Sequence, residues 1–183
     1  MISTKDLWNE AAKPGLILGG VSIAYMFATM LTGKLALSST GLAFVMALVN
    51  VLLWIAKFVG CIYLLKLFLQ TFKDNHEGVH RTYARRFGWI IALLSALVYS
   101  AGVLLDYIYI QPEAVSDTFD TMMASYSSFM TASDMELIDN MRSSMPVITF
   151  FTNLIYCTLF GTILTNILVN KVYPKDSIFD EEQ

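Results

Sequence analysis

Four long apolar runs, broken by few charges, alternate with polar connections along this chain. They cover about 14–35, 42–69, 87–110 and 146–169. Each supplies the roughly 20 residues that a helix rising about 1.5 Å per residue needs to cross a hydrocarbon core of about 30 Å. Helix-starting and helix-breaking residues separate them. Pro14 stands at the first start, Thr32-Gly33-Lys34 and Ser38-Ser39-Thr40-Gly41 break the first connection, Asp74-Asn75 and Gly78 the second, and Pro112 and Pro146 bound the third. The pattern predicts an all-α membrane protein, a single domain over 1–183 with four transmembrane helices.

The third connection, 112–145, is too long for an ordinary loop and carries helical periodicity of its own. Val115, Phe119, Met122, Met123, Tyr126, Phe129 and Met130 fall on one stripe, with Asp117, Asp120, Ser125 and Ser128 off it. Met135, Ile138, Met141 and Met145 repeat behind a candidate capping box, Ser133 with Glu136. This predicts an amphipathic helical hairpin between spans 3 and 4. Its apolar face either lies on the bilayer or, because six of the ten methionines gather there, serves as an adaptable partner surface. A soft-metal site is the weaker reading, since both histidines fall on the other side of the membrane.

Composition agrees with a lipid environment. The chain is 56% apolar and 15% charged, against about 25% charge in soluble domains. A net charge of −3 without a long basic run excludes a nucleic-acid partner. Cys61 and Cys157 lie within apolar runs and form neither a disulfide framework nor a metal cluster.

Basic residues set the expected orientation. Lys5, Lys13, Lys73, Arg81, Arg85, Arg86, Lys171 and Lys175 fall on one side, and only Lys34 and Arg142 on the other. Both termini and the second connection are therefore expected in the cytoplasm, and the acidic third connection outside. The first span resembles a signal peptide at Ala36-Leu37-Ser38. Its length, Asp6 and Glu10 ahead of it, and Lys34 beside the cut favour a retained anchor.

Polar groups within the spans are the candidate functional residues. Lys57 lies near the middle of the second span, where a charge costs at least about 2.5 kcal/mol unless it is paired or snorkels. Asp106 is the one acid inside a span, but helical rise places it too far from Lys57 to pair. Neighbours at matching depth are Tyr25, Ser95, Tyr99 and Tyr156. Asn50, Trp54, Lys57 and Cys61 share one stripe of the second helix, and Thr158, Thr162, Thr165 and Asn166 one of the fourth. Gly15 and Gly19 form a G-x-x-x-G that permits close helix approach, within the bundle or between protomers, and Ala92, Ala96 and Ser100 do the same on the third helix.

His76-Glu77-Gly78-Val79-His80 reads as H-E-x-x-H, which on a helix presents two imidazoles to zinc and a glutamate as general base. Its context opposes that use. Asp74, Asn75 and Gly78 are turn formers, the flanks are charged, and nothing marks Glu10, Asp6 or Asp176 as a third ligand. The expectation is a solvated basic turn, with no catalytic, cofactor or metal residue assigned.

Lys13-Pro14-Gly15-Leu16-Ile17-Leu18-Gly19 opens the first helix, and Lys66 to Lys73 leaves the second ahead of a glycine turn. Asp106 to Pro112-Glu113 ends the third, an acidic segment follows through Met135, Glu136 and Ile138, and Pro146 and Lys171 bracket the fourth. In that order, these features resemble a family of small four-span bacterial inner-membrane proteins catalogued as a domain of unknown function. The resemblance covers nearly the whole chain and implies the fold, the span count and a bacterial inner membrane, with no activity to carry over; His76 and His80 depart from the family pattern. The functional expectation is a non-enzymatic scaffold or accessory subunit of a membrane complex, with the bilayer and either a membrane-protein partner or a second copy around it. The alternatives are a small carrier or flippase-like subunit and a zinc-dependent membrane hydrolase.

Overall fold

The computed structural model describes residues 3–36, 40–76, 78–126, 131, 133–134, 137, 140, 142 and 144–173. The side chains at 34, 36, 40, 114–115, 118–119, 122 and 126 are not among them. Helix α1 runs Thr4–Ala36, α2 Thr40–Asn75 and α3 Arg81–Leu105. A π-helical turn follows at Asp106–Ile110, then α4 at Pro112–Tyr126 and α5 at Met145–Val172. No strand occurs among the described residues. Four helices are long and apolar enough to cross a membrane, which makes the chain a multi-pass membrane protein of all-α architecture.

The first helix starts ten residues before Pro14, which lies inside it. Ser3 supplies the start: its hydroxyl accepts the Asp6 N–H at 3.2 Å and donates to the Asp6 carboxylate at 2.6 Å, a reciprocal cap. Leu7, Ala11, Gly15 and Leu18 then form one buried stripe at helical spacing. The other three spans also extend beyond their apolar runs, because polar residues can continue a helix once it leaves hydrocarbon. His80 caps α3, accepting the Thr82 N–H on Nδ1. Lys73 donates to the carbonyl of Val172 at 3.0 Å and closes the end of α5.

Two small-residue seams fix the packing of α3. A Cβ on Gly15 would stand 2.6 Å from Leu94 Cβ and one on Gly19 2.6 Å from Val98 Cβ, while Gly102 sits under Ile23. Positions thus rise together along α1 and α3, which run parallel. A Cβ on Gly161 would stand 2.6 Å from Ala92 Cβ, and Gly88 faces the Thr165 side chain, so α3 and α5 run antiparallel. The G-x-x-x-G face therefore packs within the bundle.

Packing is uneven along the membrane normal. The main core joins Leu7, Ala11 and Leu18 of α1, Leu65, Leu69 and Phe72 of α2, Ala84, Phe87 and Ile91 of α3, and Leu168, Val169 and Val172 of α5. Phe72 stacks on Phe87 with centroids 4.2 Å apart. All of this lies at the end where the termini and the second connection meet. Towards the other end, nothing described is buried on α1 after Gly19, on α2 before Leu65 or on α5 before Thr165. Only α3 stays buried there, at Ala92, Ala96, Ser100 and Val103.

Beyond the π turn, the Gln111 N–H bonds to the Asp106 carbonyl at 2.9 Å, and α4 begins at Pro112. Arg142 donates to Ser116 and, at 3.1 Å, to the Asp120 carboxylate, which ties this residue to α4. A reciprocal cap forms there between Thr131 and Asp134, while the Ser133–Glu136 box falls on a residue outside the described set. Thr131 N–H and hydroxyl bond the Asp134 carboxylate at 2.9 and 2.7 Å, and the Asp134 N–H returns to Thr131 Oγ1 at 3.3 Å. Threonine and aspartate have the same three-residue spacing, and the shorter aspartate reaches both Thr131 donors; Glu136 lies outside the described residues. Of the predicted amphipathic face, Met123 is half-buried. The side chains of Phe119, Met122 and Tyr126, and residues Phe129 and Met130, lie outside the described set.

Candidate functional site in the membrane interior

Lys57 occupies the midpoint of the 36-residue α2. Its ammonium lies 4.7 Å from the ring centroid of Tyr25 on α1 and 5.1 Å from that of Tyr99 on α3. Two ring faces offer a cation the negative side of their quadrupoles, an attraction worth about 2 kcal/mol where water is excluded. Among the described residues, no carboxylate pairs with the charge. Asp106 is engaged elsewhere, accepting from the Gln111 side chain at 3.5 Å.

Further polar groups collect around the lysine. Cys61, one turn along α2, shares a hydrogen bond with Ser22 of α1, and both Cys61 and Cys157 of α5 lie within electrostatic reach of Lys57. All four spans therefore contribute to one polar cluster. Both thiols are free.

The other candidates lie apart from it. Tyr156 is 69% exposed and stacks on Phe160, facing outward. Asn50 accepts from the Thr32 hydroxyl at 2.5 Å and ties α2 to α1 nearer the far end of the bundle. Asn166 accepts from the Trp89 indole at 3.3 Å. Ser22 and Cys157 were not picked out by sequence. Ser22 stands three residues before Tyr25, on the same face of α1, and that spacing was the available signal.

The described residues of the H-E-x-x-H segment, 76 and 78–80, are not helical. Gly78 adopts φ +76°, a left-handed conformation that glycine takes without a Cβ penalty. His76 Nδ1 meets the Phe72 carbonyl at 3.2 Å, its ring lies 4.8 Å from that of Phe72, and Nε2 faces the Glu10 carboxylate at 3.3 Å. His80 serves the cap of α3. The two imidazoles thus have separate partners, and Glu77 lies outside the described residues. Glu10, unmarked in the sequence, is brought to His76 by the early start of α1. Among the described residues no three histidine, cysteine or carboxylate side chains gather as a metal site.

A family model described as "Protein of unknown function (DUF4199)" matches residues 13–170. No curated protein and no solved structure matches the chain.

Proposed function

We propose that this chain, which belongs to the DUF4199 family of proteins of unknown function, is a non-enzymatic accessory subunit of a membrane complex. The observation that carries the reading is the uneven packing: no described residue of α1 beyond Gly19, of α2 ahead of Leu65 or of α5 ahead of Thr165 is fully buried by the chain itself, although the half-buried polar groups Asn50 and Lys57 lie there. Polar side chains in hydrocarbon are stabilised by protein neighbours more than by lipid. The presented surface comprises the exposed face of α2 in this half of the bundle, at Leu48, Leu52 and Val59, together with the segment 112–145. The setting is a bacterial inner membrane with both termini cytoplasmic, supported by the excess of lysine and arginine on the terminal side.

A photoreactive residue placed in turn at Leu48, Val51, Leu52, Ile55 and Val59 of α2 tests the subunit reading in native membranes. A partner helix gives one protein adduct of constant mass confined to one strip of these positions. Lipid adducts alone at all five overturn the proposal. A carrier is the second reading, favoured by the midpoint position of Lys57 in the less buried half. Lys57→Met separates the two: a subunit keeps its adducts, whereas a carrier loses transport while remaining folded.

A further inference from the structure

A groove of 330 Å³ lies between the start of α1, α3 and α5. Leu7, Ile90, Leu93 and Thr162 line its length, and Arg86 and Tyr83 stand towards its end nearest the second connection. Along α3 the lining runs from Tyr83 to Leu93, about 15 Å by helical rise, which is half of a hydrocarbon core of about 30 Å. Tyr83 and Arg86 lie ahead of the apolar run that begins at Phe87, so the groove opens at the headgroup level and enters one leaflet from there. Arg86 is exposed and is the one charged side chain among the lining residues. Arg81 and Arg85 precede it on α3, so basic residues gather at this end of the helix.

The dimensions select the occupant. A helix with its side chains is 10–12 Å across and fills roughly 1,200–1,700 Å³ over such a length, more than the 800 Å³ of empty space in and around the groove. A single hydrocarbon chain fits. An apolar slot that enters one leaflet with a guanidinium at its mouth matches a molecule with an acyl tail and an anionic head, and guanidinium bonds phosphate oxygens in a fixed fork. We propose that the groove binds an anionic phospholipid, one acyl chain between α3 and α5 and the phosphate at Arg86. The observation is independent of the partner surface on α2, which lies elsewhere on the bundle.

The test uses the full chain in phosphatidylcholine nanodiscs containing phosphatidylglycerol with a photoactivatable group midway along one acyl chain. The expected result is labelling of the α3 peptide holding Ile90 and Leu93 well above the exposed flank of α2, competed by unlabelled phosphatidylglycerol. Arg86→Gln, on the exposed rim, should lower that labelling by about fivefold, the effect of one cation on an anionic lipid. Leu93→Trp should fill the groove and bring labelling to the level of α2. Even labelling of α2 and α3, or unchanged labelling in Arg86→Gln, overturns the proposal, and the latter variant decides the matter even where the tryptophan prevents folding. Displacement by glycerol phosphate alone would assign the site to a soluble phosphate and overturn it equally.

Discussion

His76 Nε2 stands 3.3 Å from Glu10 Oε1, so the second connection is tied to the beginning of the first helix across the terminal face of the bundle. The Glu10 side chain is 42% exposed, and water screens much of the attraction. A double-mutant cycle with Glu10→Gln and His76→Gln, read by denaturation in detergent, is expected to give a coupling of at most about 0.5 kcal/mol. A larger coupling would show that the pair organises more than its own contact.

The lysine cluster is expected to behave differently. Tyr99→Leu should destabilise the wild-type chain by about 1–2 kcal/mol and cost distinctly less in a Lys57→Met background, where no cation faces the ring. Equal losses in both backgrounds would assign Tyr99 to packing alone.

Gly88 and Gly60 make a matched pair. Gly88→Ala drives a methyl into Thr165 and should lower stability by about 1–3 kcal/mol, partly recovered by Thr165→Ala. No heavy atom lies within 4 Å of a Cβ on Gly60, so Gly60→Ala should be neutral or stabilise by up to about 1 kcal/mol through helix propensity. Thermal unfolding of the four variants measures both effects.

Tyr173 follows α5 with a buried hydroxyl that finds no partner among the described residues. Burial, reinforced by the Asp74 carboxylate, pushes its phenol from 10 up to about 12. Below pH 10 the group is protonated in both folded and unfolded chains and adds no slope. Between pH 10 and about 12 the unfolded chain releases the proton first, so stability falls as pH rises through that window. Tyr173→Phe should flatten this part of the pH–stability curve.

Hydropathy made the four spans legible, because twenty apolar residues in water-averse runs leave few other structures. It misplaced the start of α1 because Thr4 to Lys13 is too polar to read as membrane, although Ser3, Asp6 and the Leu7–Ala11 spacing held a helix signal. Counting rise along helices brought Tyr25 and Tyr99 to Lys57, since depth is nearly linear in residue number. It could not separate them from Tyr156, because depth says nothing about which way a helix is rotated about its axis. Rotation is set by seams such as Gly15–Leu94 and Gly88–Thr165. The approach of Glu10 to His76 depends on the same tertiary packing, which no local pattern encodes.

The closed end of the bundle draws on Leu7 from the first helix and Val172 from the last. During synthesis that end cannot be completed until α5 has emerged, since Leu168, Val169 and Val172 belong to the same core as Phe72, Phe87 and Ala11. A nascent chain stopped after α3 would leave the Gly88 seam without Thr165 and the Lys73 ammonium without the Val172 carbonyl. Closure of this end therefore waits on the final span, which supplies both missing partners.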